Sequence, residues 1–240
     1  QAYLDEYPDT PYPNRIYALM ASVYFFEGKY DEAMAMFNSA RLDLLGNEER
    51  DDMTYRLATC YLKTGNVKEA AIWFETLRST SKKYAADCTY YISYIRYTQQ
   101  RYDEAMTGFL SLQDNAKYKA LAPYYIAEIY LIKKNYDKAE IVAQNYLSAY
   151  PNNEYTAEMY RVLGDADYHF GKYHEAMEAF EKYLENNKEA APRRDALYML
   201  GLSYYNCGVY SKAANTLGEV TAENDALAQN AYLQMGLAYL

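Results

Sequence analysis

The chain has 240 residues, of which 51% are hydrophobic and 24% charged, a balance that is ordinary for a folded protein. Its 24 lysines and arginines are outnumbered by 33 aspartates and glutamates, and the resulting net charge of -9 argues against nucleic-acid binding. No apolar run approaches the roughly 20 residues that a membrane-spanning helix needs.

Tyrosine is the unusual feature of this composition. There are 32 tyrosines, against seven phenylalanines and one tryptophan. A tyrosine ring can be buried while its hydroxyl group stays in water. The chain can therefore carry many aromatic side chains on its surface.

A short motif recurs six times along the chain. The first copy reads EGKYDEA and the fifth reads FGKYHEA. The copies end at Ala33, Ala70, Ala105, Ala139, Ala176 and Ala213. These alanines are 37, 35, 34, 37 and 37 residues apart, and a period of this length is typical of solenoids built from helical hairpins.

Each period predicts two helices joined by a short turn. Before the turn, apolar residues follow the i, i+3, i+4, i+7 spacing of one helix face, which predicts a first helix, called helix A. The first copy of this pattern consists of Tyr17, Met20, Ala21 and Tyr24. Glycine marks the turn in four copies, at Gly28, Gly65, Gly171 and Gly208.

The second helix, helix B, begins just after the turn. An acidic residue such as Asp31 lies in its first turn, where the helix dipole favours a negative charge. The alanine of the motif follows, four residues before a larger side chain such as Phe37. The small residue lets helices A and B approach closely, and the ring fills the space beside it.

These positions resemble the tetratricopeptide repeat. When the repeats start at residues 14, 51, 86, 120, 157 and 194, all six alanines fall at position 20, and position 8 holds Ala, Ser or Gly. Pro151 takes position 32, while Arg96 and Asp167 depart from the Tyr expected at position 11. The resemblance implies an all-α, right-handed superhelical solenoid of antiparallel helix hairpins.

The predicted organisation is one solenoid over residues 1–240. Residues 1–13 are predicted to end a preceding repeat and residues 229–240 to form the first helix of a seventh. The six repeats between them are 14–50, 51–85, 86–119, 120–156, 157–193 and 194–228. Because Gln1 is not a natural start and a solenoid ends in a polar cap, we expect more protein beyond both ends, or self-association through them.

The sequence offers no sign of catalysis, a cofactor or a metal site. It lacks the common nucleotide-binding, metalloprotease and nucleophile motifs. Its two histidines, His169 and His174, have no cysteine or third histidine near them. Cys60, Cys88 and Cys207 are interpreted as small core residues, and the repeat frame keeps Cys60 and Cys88 beyond disulfide reach. We therefore expect a protein that is not an enzyme.

The candidate binding residues come from the groove that the A helices line in this family. The resemblance implies that positions 2, 5, 9 and 12 point there, and many of them are aromatic. The predicted site residues are Tyr55, Tyr90, Tyr94, Tyr97, Tyr124, Glu128, Arg161, Asp165, Tyr168, Tyr198 and Tyr205. Exposed Tyr and Arg side chains are enriched in binding hot spots.

Three interpretations of these residues remain open. The tyrosine rings can simply stack on one another between repeats and line the groove without binding a ligand. They can instead hold a segment of a protein or peptide partner, as the family usually does. Finally, tyrosine faces can stack on sugar rings while Glu128 and Asp165 accept hydrogen bonds from sugar hydroxyls, which would make the protein a glycan binder.

The location of the protein is predicted from the style of its repeats. The stretch YPNNEYTAEMYRVLGDADYHFGKYHEAMEAFEKYLE is similar to repeats in bacterial envelope lipoproteins. This resemblance implies a periplasmic or outer-membrane-associated protein, and a cytoplasmic location is the alternative.

Overall fold

The computed structural model describes residues 13–187 and 191–239. Within these ranges the chain forms thirteen α-helices and one short 3-10 helix, and no strand. The predicted all-α fold of helix hairpins is confirmed. The predicted end of a preceding repeat, residues 1–13, lies outside the described residues except for Pro13.

The chain divides into two compact units, residues 1–108 and residues 109–240. The helices of the first unit alternate between A and B types. They are α1 (Pro13–Phe26), α2 (Tyr30–Ser39), α3 (Asn47–Lys63), α4 (Val67–Thr80) and α5 (Ala85–Thr98), with a 3-10 helix at Leu42–Leu44. Helix α6 (Tyr102–Ser111) begins in the first unit and ends in the second.

The second unit continues the alternation. Its helices are α7 (Ala122–Ile132), α8 (Tyr136–Ala149), α9 (Thr156–His169), α10 (Tyr173–Asn186), α11 (Arg194–Asn206), α12 (Tyr210–Val220) and α13 (Ala226–Ala238). Helices α7, α9 and α11 each pack on the B helix that follows, and α7, α9, α11 and α13 also contact one another in sequence. Successive A helices therefore form a continuous face, while the B helices lie behind them.

Small residues allow the two helices of a hairpin to pack closely. The alanines at position 20 are all 0% exposed. A Cβ atom added to Gly164 would lie 2.9 Å from the ring of Phe180, and one added to Gly201 would lie 2.6 Å from Leu217. The large residue at position 24 of helix B thus fits into a hole at position 8 of helix A.

The turns between helices A and B require a left-handed backbone. The four turn glycines have φ angles from 74° to 81°. The two repeats that lack glycine place Gln100 (φ 61°) and Lys134 (φ 56°) in the same conformation, which is costly for residues with a Cβ atom. The motif therefore forms the same turn with or without its glycine.

We expect the Lys134→Gly substitution to raise the free energy of unfolding by about 0.5–1 kcal/mol. Removing the Cβ atom relieves the left-handed strain of about 1–2 kcal/mol, and the greater freedom of glycine in the unfolded chain offsets part of this gain. Urea unfolding measures the change. Gly171→Ala is the reverse change in an equivalent turn (φ 75°) and should lower the free energy of unfolding. A loss of stability in Lys134→Gly would contradict the prediction.

The three cysteines are free, and Cys60 and Cys88 are buried, as the sequence predicted. Burial raises the pKa of both thiols to about 12, so they stay protonated near neutral pH. A protonated, buried thiol is a poor nucleophile. These two residues fill core space between helices.

Candidate functional site

The predicted site residues lie on A helices in both units. Tyr55 is on α3, and Tyr90, Tyr94 and Tyr97 are on α5. In the second unit, Tyr124 and Glu128 are on α7, Arg161, Asp165 and Tyr168 on α9, and Tyr198 and Tyr205 on α11. We call the surface formed by α7, α9 and α11 the A-helix face of the second unit.

Tyr55 packs between two repeats of the first unit. Its ring stacks on Tyr84 at a centroid distance of 4.5 Å and meets Phe74 edge-on at 6.2 Å. Burial raises the pKa of its hydroxyl group. These contacts favour a structural role for Tyr55.

The three tyrosines of α5 also have aromatic neighbours, but they are only half-buried. Tyr90 and Tyr94 lie nearly parallel with centroids 6.3 Å apart. Tyr97 meets Tyr102 edge-on at 5.8 Å. Each of these rings is held by a neighbour and keeps part of its surface accessible.

Arg161 forms the centre of a buried charge cluster in the second unit. Its side chain is only 3% exposed. It donates hydrogen bonds to Glu128, to Glu158 (Nε to Oε2, 2.7 Å) and to Asp165 (NH1 to Oδ2, 2.9 Å). Because Glu128 is on α7 and the others are on α9, this guanidinium group joins two successive repeats.

The cluster continues to the start of α11. Arg193 approaches Glu158 at 3.5 Å and binds Asp195 at 2.7 Å. Asp195 Oδ1 in turn accepts a hydrogen bond of 2.9 Å from the backbone N–H of Ala196. Four carboxylates therefore surround two guanidinium groups, and the cluster has an excess of negative charge when all its members are ionised.

Burial alters the proton affinity of the cluster. It raises the pKa of Asp165 to about 6 and also raises the pKa of Glu158. Burial acts in the same direction on Asp195, but the hydrogen bond and charge of Arg193 outweigh it and hold that pKa below its ordinary value. The pKa of Asp165 thus lies close to neutrality.

Tyrosine rings lie on the same three A helices as the cluster. Tyr124 stacks on Tyr155 at 5.3 Å and acts electrostatically on both Arg161 and Arg193. Tyr168 meets Tyr173 edge-on at 5.2 Å. On α11, Tyr205 meets Tyr210 at 5.5 Å, and Tyr198 is half-buried, with the pKa of its hydroxyl raised by burial.

The exposure that the sequence suggested for Arg161 is not observed. Arg161 and Glu128 are buried and bind each other, because several carboxylates converge on one guanidinium group. Any effect of these two residues on a ligand must therefore act through the position of their neighbours. The half-buried tyrosines and Asp165 remain accessible in part.

Sequence reasoning missed three members of the cluster, Glu158, Arg193 and Asp195. The acidic residues at position 2 of the repeat could have indicated two of them, because this position is expected to face the groove. Four of the six repeats have an acidic residue there, namely Asp52, Asp87, Glu158 and Asp195. Reading position 2 across the repeats would have found both missing carboxylates.

The two histidines have local roles in the second unit. The ring of His169 stacks on Tyr136 at 3.9 Å, and the exposed His174 lies 3.4 Å from Glu178. Among residues 13–187 and 191–239, no group of His, Cys, Asp and Glu side chains could hold a metal ion. In the same ranges, no helix is both long and apolar enough to cross a membrane.

Three family models, each described as tetratricopeptide repeat, match residues 25–88, 118–189 and 195–224. The chain belongs to the tetratricopeptide repeat family. Tetratricopeptide repeats support protein–protein interaction, so this chain is an interaction scaffold in general terms. Among curated protein sequences, none matches it significantly.

Solved structures show the same fold. A tetratricopeptide repeat protein from Parabacteroides merdae is 18% identical, with a TM-score of 0.59 over 100% of this chain and 89% of that one. PilF from Pseudomonas aeruginosa is 15% identical, with a TM-score of 0.72 over 92% and 97%. MamA from Desulfovibrio magneticus is 19% identical, with a TM-score of 0.60 over 73% and 94%. At these identities the likeness concerns the fold alone.

Proposed function

We propose that this tetratricopeptide repeat scaffold binds a segment of a partner protein on the A-helix face of the second unit, and that the segment carries a cationic side chain. The observation that supports this most strongly is the position of the Arg161 cluster. Its excess negative charge lies on the same three helices as the half-buried Tyr124, Tyr168 and Tyr198.

The tyrosines supply apolar contact area that is already ordered. Tyr124 and Tyr168 are held by stacked or edge-on neighbours. A ligand that packs on such rings immobilises few side chains on the protein, which reduces the entropic cost of binding. Their hydroxyl groups can also form hydrogen bonds with the backbone of an extended segment.

The carboxylates of the cluster favour a positive charge on the partner. Arg161 is fully engaged, and Arg193 has a side chain that is 43% exposed and is turned toward Asp195 and Glu158. Charge complementarity chiefly improves the association rate and the choice of partner. Binding should therefore weaken as the salt concentration rises.

Replacement of Tyr198 tests the role of the aromatic residues. We expect Tyr198→Ala to weaken binding of a cationic peptide by about 2 kcal/mol, roughly 30-fold, as for a hot-spot ring. Tyr198→Phe should retain most of the affinity, because it keeps the ring. Fluorescence anisotropy with a library of labelled peptides that are matched in length and differ in charge measures the effect.

Two controls separate binding from stability. Tyr136→Ala removes a tyrosine of a B helix, where it stacks on His169, and should leave peptide affinity unchanged. Melting temperatures of all variants report on folding. A lower melting temperature of Tyr198→Ala with unchanged affinity would contradict the proposal and favour the structural interpretation. Binding to a glycan array but to no peptide would show that the ligand is a carbohydrate.

We also propose an envelope location, which is supported only by the repeat style of residues 150–185. Fusion of the complete protein to alkaline phosphatase tests it, because that enzyme needs disulfides that form in the periplasm. An inactive fusion would point to the cytoplasm.

A further inference from the structure

An open cavity of about 470 Å³ lies in the first unit, between helices α3 and α4 and the 3-10 helix at Leu42–Leu44. We call it the Trp73 cavity, after the aromatic residue in its wall. Its volume falls within the range of roughly 300–1,000 Å³ that is usual for small-molecule sites. All of its lining residues belong to residues 42–80, and helices α2 and α5 flank this segment on its two sides. The cavity therefore lies within the stack of repeats.

Two features of the sequence account for the Trp73 cavity. Position 4 of the second repeat is Thr54, whereas the first, fifth and sixth repeats have the larger Tyr or Leu there. The first repeat has 37 residues in place of the usual 34, and its final residues supply Leu42 and Asp43 to the wall. The short side chain leaves space beside helix α3, and the longer connection encloses that space.

One wall of the cavity is apolar and rigid. Trp73 is the single tryptophan of the chain and is half-buried. Its ring packs against the core residues of two successive repeats, which fixes its orientation. Leu42 and Leu77 complete the apolar wall. An indole held in this way offers a flat surface on which the C–H face of another ring can pack.

Three threonines give the cavity hydrogen-bond acceptors. Thr54 Oγ1 donates to the carbonyl of Arg50 at 2.8 Å, and Thr76 Oγ1 donates to that of Ile72 at 2.9 Å. Thr80 Oγ1 donates to the carbonyl of Thr76 at 3.2 Å. Because each hydroxyl group uses its one proton within its own helix, only its lone pairs are left for a ligand. The threonines therefore favour a ligand with several hydroxyl donors.

The charges at the cavity nearly cancel. Asp51 is half-buried and, among the described residues, its carboxylate forms no hydrogen bond or ion pair. Arg50 offsets this charge and has N–H donors beyond the one that Asn47 Oδ1 accepts at 3.0 Å. Asp43 is neutralised by Arg41, which binds it through two hydrogen bonds. This balance disfavours a strongly charged ligand of either sign.

We propose that the Trp73 cavity binds a neutral sugar, whose pyranose ring packs on the indole while its hydroxyl groups bond to Asp51, Arg50 and the threonines. A sugar hydroxyl group both donates and accepts, so it matches the carboxylate, the guanidinium group and the threonine oxygens together. An ammonium group would supply donors alone and be repelled by Arg50. A phosphate group would mainly supply acceptors and be repelled by Asp51. The site is independent of the peptide binding proposed for the second unit.

Fluorescence of the chain tests the proposal, because its single tryptophan lies in the wall of the site. Glucose, galactose, mannose and N-acetylglucosamine serve as probes, and indole emission is recorded during each titration. We expect at least one sugar to change the emission saturably, with a dissociation constant on the order of 1 mM for a ligand of so few atoms. Glycerol, a polyol without a ring face, should cause no saturable change. Absence of a saturable response to every sugar, or an equal response to glycerol, would overturn the proposal.

Variants of the cavity and a matched control locate the sugar. Asp51→Asn should weaken binding about tenfold, since hydrogen bonds to a charged group are stronger than those to a neutral one. Asp52→Asn makes the same change at the next carboxylate, which binds Lys83 and Tyr84 and does not line the cavity, and should leave the affinity unchanged. Thr54→Leu should fill the cavity and remove the response, while circular dichroism shows an intact fold. Equal affinities of Asp51→Asn and Asp52→Asn would contradict the proposal.

Charged probes test the other classes of ligand. We expect neither methylammonium nor inorganic phosphate to change the emission saturably or to compete with the sugar. Saturation by one of them without a response to sugars would show that the cavity takes a charged ligand, and would overturn the proposal. A sugar response that Thr54→Leu leaves unchanged would place the sugar outside the cavity and overturn it as well.

Discussion

We expect Arg161→Leu to lower the free energy of unfolding by about 3–5 kcal/mol, because it removes the cation from a buried ion cluster. Arg161 binds three carboxylates, and Glu128 is almost as buried as Arg161 itself. Once the guanidinium group is gone, Glu128 and Asp165 must be desolvated without it, and Glu158 keeps only Arg193 at 3.5 Å. Urea unfolding followed by circular dichroism measures the loss.

Arg193→Leu is the matched control for this prediction. Arg193 belongs to the same cluster, but its side chain is 43% exposed. Water screens its ion pairs, and the expected loss is below about 1 kcal/mol. A second variant, Arg161→Leu with Glu128→Leu, should recover part of the stability by removing one unpaired charge. A loss below about 1 kcal/mol for Arg161→Leu alone would contradict the role assigned to the cluster.

The effect of Arg161→Leu should depend on pH. Burial raises the pKa of Asp165 to about 6 in the folded chain, above its ordinary value of about 4. The folded state therefore holds a proton that the unfolded state has lost, and the contribution of Asp165 to stability falls as pH rises from about 4 to 6. Without Arg161 the carboxylates should bind protons more tightly still. The difference in unfolding free energy between the unchanged chain and Arg161→Leu should therefore be smaller at pH 5 than at pH 7.

The fold could be predicted from the sequence because its main signals are local and repeated. The alanine at position 20 recurs with a period of 34 to 37 residues, and each copy is fully buried. Local spacing also predicts the turns, although Gln100 and Lys134 adopt the left-handed backbone without glycine. Six copies of one pattern outweigh the departures of any single repeat.

The candidate site was harder to predict because it depends on contacts between repeats. Position 5 lies on helix α9 as the repeat frame predicts, but the burial of Arg161 there results from carboxylates on two helices. Glu128 is 33 residues away in the chain, and no local pattern links it to Arg161. Similarly, the half-buried state of Tyr198 and the stack between Tyr55 and Tyr84 depend on neighbouring repeats.

We expect Phe180→Ala to lower the free energy of unfolding by about 3–5 kcal/mol, the usual cost of removing a buried ring. Phe180 is 0% exposed and lies in a core cluster with Tyr183, Leu200 and Tyr204. Its ring fills the hole above Gly164. Because Gly164 has no side chain to move inward, the cavity cannot close from that side. Urea unfolding measures the loss.

Two controls show whether this loss comes from the packing of the hairpin. Phe170→Ala removes a ring that is 46% exposed in the preceding turn and should cost less than about 1 kcal/mol. Phe180→Leu should retain most of the stability, since Leu217 fills the equivalent hole at Gly201. If Phe180→Ala were no more destabilising than Phe170→Ala, the ring at position 24 would not be what joins helices A and B. The shared packing rule would then fail for the other repeats.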